Sequence, residues 1–291
     1  MQAGVQRYFC HGCKETFSSS RRTAKVGDAL LHDYVWKRQT LAQLATQAGK
    51  SAHWVRKQID HVGAPARIHT AQSTVLAADT TFWGRHYGVV VFRSPTLKKN
   101  LWWAETILET PEVYARGYAA LTDAGWNVTA VVLDGKRGIP KVFGDIPLQL
   151  CQFHQVKTIN TYLTRKPQTR AAQELRAIAL TLARTDEATF TARLIAWEKY
   201  HRTFLDEHTF CGYCKRKHYV HRRLRSAYRS VQTNLPYLFT YQKFPDLHIP
   251  NTTNCLDGMF SQLKNRLAVH RGLSKTRRYK IISAILGGKE K

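Results

Sequence analysis

Acidic residues are scarce. Asp and Glu number 20 among 291 residues, against 45 Lys and Arg, which leaves a formal charge of +25 and a pI near 10.1. That deficit excludes a surface coated with carboxylates. The resulting field attracts polyanions, nucleic acid first, with salt-dependent affinity; a ribosomal or membrane-surface role also suits the charge. Long apolar runs are missing as well. No stretch approaches the roughly 20 apolar residues that span a bilayer, and "MQAGVQRYFCHGC" contains no apolar signal core. The expectation is a cytoplasmic protein with no membrane partner. Its six cysteines then read as reduced thiols or metal ligands, not disulfides. No internal repeat or low-complexity tract occurs, which excludes a repeat architecture. The remainder is ordinary for a globular chain: 43% hydrophobic, 11% aromatic, and long enough for one large domain with smaller ones beside it.

Four zones differ in pattern. The first holds Cys10 and Cys13 in "RYFCHGCKETF". The second, 23–68, reads as helices. In "TLAQLATQAGKSAHWVRKQI", apolar spacing on both sides of Gly49, with Ser51 as an N-cap, gives the outline of a helix-turn-helix. Its second helix would present His53, Arg56 and Lys57 to a major groove; a plain helical hairpin is the alternative. The third zone changes period. "TVLAADTTFWG", "HYGVVVFRS" and "NLWWAETIL" are short and rich in β-branched and aromatic residues. A helix capped by Thr110 and Pro111 follows, with Gly125 beyond its end. "WNVTAVVLDGKRG" is a buried strand and "IPLQLCQFH" another. The order β-β-β-α-β predicts an α/β fold with a mixed sheet. The fourth zone, about 160–248, reads as a helical insertion, followed from 251 by an amphipathic helix and a basic tail.

Asp79 ends "TVLAAD" and Asp134 ends "TAVVLD". On neighbouring strands the two carboxylates would repel, and one would take up a proton unless a divalent cation came between them. Oxygen ligands suit Mg²⁺, which keeps water and substrate phosphate in its other positions. A third acid from a helix would complete a two-metal site for phosphoryl transfer. Asp257, close to a helix start that Asn251 to Asn254 can cap, is the candidate; Glu105 and Glu109 compete for the position. Singly, each acid has a plainer reading: Asp79 as a strand-end acid, Asp134–Gly135 as a turn, Asp257 as a favourable first-turn charge.

Four segments together resemble the mutator-type (MULE-like) DDE transposases of bacterial insertion sequences: "LAADTTFWG", "VVLDGKRGI", "LQLCQFHQVKTIN" and "TTNCLDGMFSQLKNRLAVHRGLS". The resemblance covers about residues 70–285. It implies an RNase H-like core in a catalytic domain at 70–291. Asp79, Asp134 and Asp257 would be its catalytic acids, holding Mg²⁺ or Mn²⁺. Cys151 and His154 match a Cys-x-x-His element that follows the second acid. His154 would contact the scissile phosphate or orient an acid; a satisfied core histidine is the other reading. The activity implied is metal-dependent cleavage and strand transfer at insertion-sequence ends. Double-stranded DNA would be the partner, a homodimer or larger assembly would form on it, and the protein would associate with the nucleoid. A catalytically inactive, transposase-derived DNA-binding protein is the alternative.

Two departures stand out. The family's third acid is usually Glu, one methylene longer than Asp257. Relatives often carry two Cys-x-x-Cys knuckles of a zinc ribbon, whereas 1–22 holds only Cys10/Cys13; the expectation is that the first pair lies upstream of a shortened start at Met1. Zinc has a further candidate in "CGYCKRKHYVH", where Cys211 and Cys214 are followed by His218 and His221. Cys255 reads as packing. The segments "YVHRRLRSAYRS", "LKNRLAVHR" and "KTRRYK" interleave cations with aromatics. They are expected to face phosphate, with Lys264, Arg266 and Arg271 among the DNA contacts.

Overall fold

The helical pattern read after residue 22 produces helices. The computed structural model describes residues 7–18, 22–63, 70–213 and 215–288. A short antiparallel hairpin, β1 (Arg7–Phe9) and β2 (Thr16–Ser18), carries Cys10 and Cys13 in its turn. Three helices follow: α1 (Arg22–Trp36), α2 (Leu41–Ala48) and α3 (Ala52–His61). Thr40 opens α2 with a capping box completed by Gln43. Gly49 closes it at φ 59°, a left-handed conformation that glycine adopts without strain. The Ser51 side chain then accepts the Trp54 amide to start α3.

The next stretch supplies a mixed five-stranded sheet. Its strands are β3 (Ser73–Phe82), β4 (Gly88–Ser94), β5 (Lys99–Thr106), β6 (Asn127–Leu133) and β7 (Leu148–Leu150), with α4 (Pro111–Asp123) between β5 and β6. The spatial order is β5-β4-β3-β6-β7. β3, β4 and β5 form an antiparallel meander, while β6 and β7 run parallel to β3. The pairing of β3 with β6 contains one irregularity: Thr74 faces Val128, but Val75 faces Ala130, so Thr129 is an extra residue. From there Ala77 faces Val132, and two further steps in the same register set Asp134 beside Asp79. One face of the sheet contributes Leu76, Ala78, Val90, Phe92, Val131 and Leu133 to a core shared with Val113, Tyr114 and Leu121 of α4. Close approach of α4 depends on Gly117, where an added Cβ would lie 2.7 Å from the Trp102 ring.

A helical block continues this core through α5 (Gln152–Leu163), α6 (Arg170–Leu180), α7 (Glu187–Leu205), α8 (Arg222–Leu238) and the short α9 (Thr240–Lys243). The expected helical insertion also holds a short β element. Residues 208–219 form a second hairpin, β8 (His208–Cys211) with β9 (Arg216–Tyr219). Thr209, Phe210 and Tyr219 on either side of the Gly212 turn favour strand over helix there. The chain ends with α10 (Asn254–Leu267) and α11 (Lys275–Gly287).

The chain divides into two compact units, Met1–Arg67 with Phe260–Lys291, and Ile68–Met259. Residues 260–291 thus group with the N-terminal unit, whereas the sequence reading ran its last domain from 70 to 291. Within the first unit Leu44, Val55, Ile59, Leu263, Ile281 and Ile282 are buried. Arg277 pairs with Asp60 through two hydrogen bonds, one of them 2.9 Å long. No helix among the described residues is long and apolar enough to cross a membrane.

Candidate metal centre

Residues 74–79 of β3 are buried on both faces, and the run brings Asp79 into the interior at 8% exposure. The strand does not end there, as the sequence suggested, but continues three residues to Phe82. The Thr80 amide donates to Asp79 Oδ1 at 2.7 Å. β6 does end at Leu133. Asp134 follows it half-buried and accepts the Lys136 amide at 3.0 Å around Gly135, whose φ is 90°. Asp257 sits in the first turn of α10. Its Oδ2 is buried and has no hydrogen-bond partner.

Two overlapping groups result. Oxygens of Asp79, Glu109 and Asp134 lie within 4.8 Å of one another, and so do ligand atoms of Asp79, Asp257 and His154. The three expected acids therefore do not form a single cluster: Asp134 and Asp257 each meet Asp79 in a different group. His154 enters from the first turn of α5, just past β7. That strand is an edge of the sheet. Glu109 is a member that sequence reasoning left among the competitors. Tyr114 Oη donates to its Oε1 at 2.6 Å and Lys136 Nζ to its Oε2 at 3.1 Å. The Tyr114 hydroxyl also meets Thr80 Oγ1 at 3.2 Å. The other competitor, Glu105, lies on β5 and belongs to neither group. Thr110 does not cap α4 with its side chain.

A second set of hydrogen bonds ties the start of α10 to the start of α5. The amide and hydroxyl of Thr253 both donate to Cys151 Sγ, at 3.3 and 3.4 Å. The same hydroxyl lies 3.4 Å from His154 Nδ1. The Gln152 amide donates to the Asn251 carbonyl, and Asn251 Nδ2 to Gln152 Oε1, both at 3.0 Å. This stitch holds Asp257 near His154.

The electrostatics register the crowding. Burial pushes Asp79 up to about 7. The Asp134 charge adds to the rise and Glu109 adds less, while the Thr80 amide and His154 oppose it. His154 is raised to about 9 by its hydrogen bond to Cys151 against the cost of burial, helped by the charges of Asp79 and Asp257. Burial pushes the Cys151 thiol up, but hydrogen bonds from His154 and Thr253 outweigh it and hold the thiol below its ordinary range. Tyr114 is raised well above its usual value by burial and by Glu109. A buried carboxylate oxygen without a donor, beside acids that repel one another, is the environment a hard divalent cation relieves. The donor set fits Mg²⁺ or Mn²⁺.

The other expected ligands are placed differently. Cys10 is half-buried and Cys13 exposed; the Cys13 amide chiefly, with the Cys13 side chain and Gly12, holds the Cys10 thiol below its ordinary value. Cys211 is half-buried in β8, and Cys214 lies outside the described residues. His221 bonds to Glu207 at 2.9 Å and stacks on Phe204. Among the described residues no cysteine joins a group of three potential ligands. Cys255 is half-buried, and burial raises its thiol. Of the expected DNA contacts, His53, Arg56 and Lys57 are exposed on α3, and Lys264 and Arg271 are exposed. Arg266 is half-buried, its guanidinium 4.9 Å from the centre of the Trp36 ring. Neither a family model nor a curated protein matches the chain.

Proposed function

We propose that the protein is a DDD-type transposase that cleaves DNA and transfers strands at insertion-sequence ends. The observation carrying this reading is that one buried carboxylate, Asp79, belongs to two ligand groups at once. Asp79 with Asp134 would hold one Mg²⁺ or Mn²⁺, and Asp79 with Asp257 a second. When bound, such ions activate an attacking oxygen and stabilise a leaving one at phosphorus. The mixed sheet, with acids from β3, from the end of β6 and from a later helix, is compatible with an RNase H-like core, and that is the fold proposed.

The chain's own residues orient the substrate. Glu109 is held by Tyr114 and Lys136, which keeps its charge beside Asp134. His154, kept protonated by Cys151 and the two acids, offers an N–H to a non-bridging phosphate oxygen. Water attacks phosphorus and a 3′-hydroxyl departs. That hydroxyl then attacks a target phosphodiester, one bond forming as one breaks. The α2–α3 pair, with His53, Arg56 and Lys57 outward, serves as the helix-turn-helix that reads the element ends. Zinc at Cys10/Cys13 or Cys211/Cys214, a homodimer on DNA and a nucleoid location belong to the same proposal.

Nicking of supercoiled plasmid in Mg²⁺ tests it, followed by joining of a labelled duplex carrying the element end. Wild type is expected to nick and join, and Asp134→Asn to do neither. Equal nicking by both removes the catalytic reading. DNA binding without nicking by either selects the alternative, a transposase-derived DNA-binding protein.

A further inference from the structure

The β8–β9 hairpin is not explained by stability. Two four-residue strands gain little by pairing alone, and these cover no core. Six of their eight residues are exposed, and Cys211 and His218 are half-buried. Their composition is one-sided. Residues 208–245 contain eight Lys and Arg and no Asp or Glu. The register pairs Phe210 with Lys217 and Cys211 with Arg216. Lys215 in the turn and Arg216 and Lys217 on the returning strand are exposed. Phe210 is 64% exposed, and Tyr213, in the turn, is 99% exposed. The base is anchored. Val220 bonds to Glu207, and Arg225 reaches Asp206 at 2.8 Å while its guanidinium lies 3.6 Å from the centre of the Tyr219 ring.

We propose that this hairpin is a second DNA-contacting element, a β-ribbon that enters the major groove of duplex DNA with Tyr213 leading. A two-stranded ribbon fits that groove. Three adjacent cations without a neighbouring acid suit its phosphate walls, and an aromatic tip stacks on bases wherever the duplex is distorted. The inference rests on the reading above only in taking DNA as the partner; it needs no catalysis.

The test is fluorescence anisotropy of the full chain with a labelled 40-base-pair duplex, metal-free, across a KCl series. Each of Lys215→Ala, Arg216→Ala and Lys217→Ala is expected to flatten the slope of log K against log [KCl] by about 0.9, and the triple variant by about 2 to 3. Tyr213→Ala should keep the wild-type slope and weaken binding to a mismatched duplex roughly 5- to 100-fold. The substituted side chains are solvent-exposed, so circular dichroism should report unchanged folding. An unchanged slope in the folded triple variant overturns the inference, as does stronger binding of an acidic protein or of single-stranded DNA than of duplex. Wild-type nicking with an unchanged slope removes the hairpin's role and leaves catalysis standing. A flattened slope in a protein that never nicks does the reverse.

Discussion

Asp79→Asn should stabilise the metal-free protein at alkaline pH while ending its response to Mg²⁺. The Asp79 carboxyl is raised from an ordinary 3.8 to about 7, by burial first and then by Asp134. At 1.36 kcal/mol per pH unit, that rise corresponds to about 4 kcal/mol. The sign follows from linkage: the folded state holds this proton more tightly than the unfolded chain. Stability is therefore full below about 4, falls as pH climbs through the folded value near 7, and levels off above it. Asparagine carries no charge and still accepts the Thr80 amide. Its advantage should be about 4 kcal/mol at pH 8 and less than half of that at pH 5. For a unit of this size the melting temperature should rise roughly 10 °C at pH 8. Adding Mg²⁺ should raise the wild-type melting temperature by mass action and leave the variant unmoved. Thermal denaturation at both pH values, with and without Mg²⁺, measures all four quantities. Destabilisation at pH 8, or an equal gain at the two pH values, would refute the account of Asp79 as a crowded carboxylate.

Other substitutions probe the surroundings. Tyr114→Phe removes the hydroxyl that donates to Glu109 at 2.6 Å; urea denaturation should show a loss of about 1–3 kcal/mol. Gly117→Ala drives a methyl to 2.7 Å from Trp102 and 3.0 Å from Phe92, and calorimetry should find about 1–3 kcal/mol of destabilisation as α4 lifts from the sheet. Ser51→Ala deletes the cap on the Trp54 amide and should cost about 1 kcal/mol in the unfolding of the N-terminal unit.

Much of the architecture can be read from residue order. Apolar runs without alternation mark β3 and β6, and the acids that follow each run mark the rim where the site forms. Asp257 is signalled by its place in a helix start. Glu109 carries no comparable mark, because what fixes it comes from elsewhere: Tyr114 in the next helix and Lys136 beyond the following strand. The β8–β9 hairpin is hidden for another reason. Its strands are four residues long, too short to establish a period against the helices on either side. "IPLQLCQFH" reads as a single strand because Leu148 and Leu150 alternate with Gln149 and apolar residues recur to Phe153, yet only Leu148–Leu150 pairs. Gln152 already bonds to Asn251 and begins α5. Nothing local announces that exchange of partners.

The supernumerary Thr129 matters beyond its own neighbourhood. Strands advance about 3.3 Å per residue, so one residue more or fewer in the first half of β6 slides Asp134 by that distance against its neighbour. Such a slide would turn Val131 and Leu133 off the core face and part the two carboxylates. Evolutionary tolerance of length changes should accordingly be lowest at a spot that touches no chemistry.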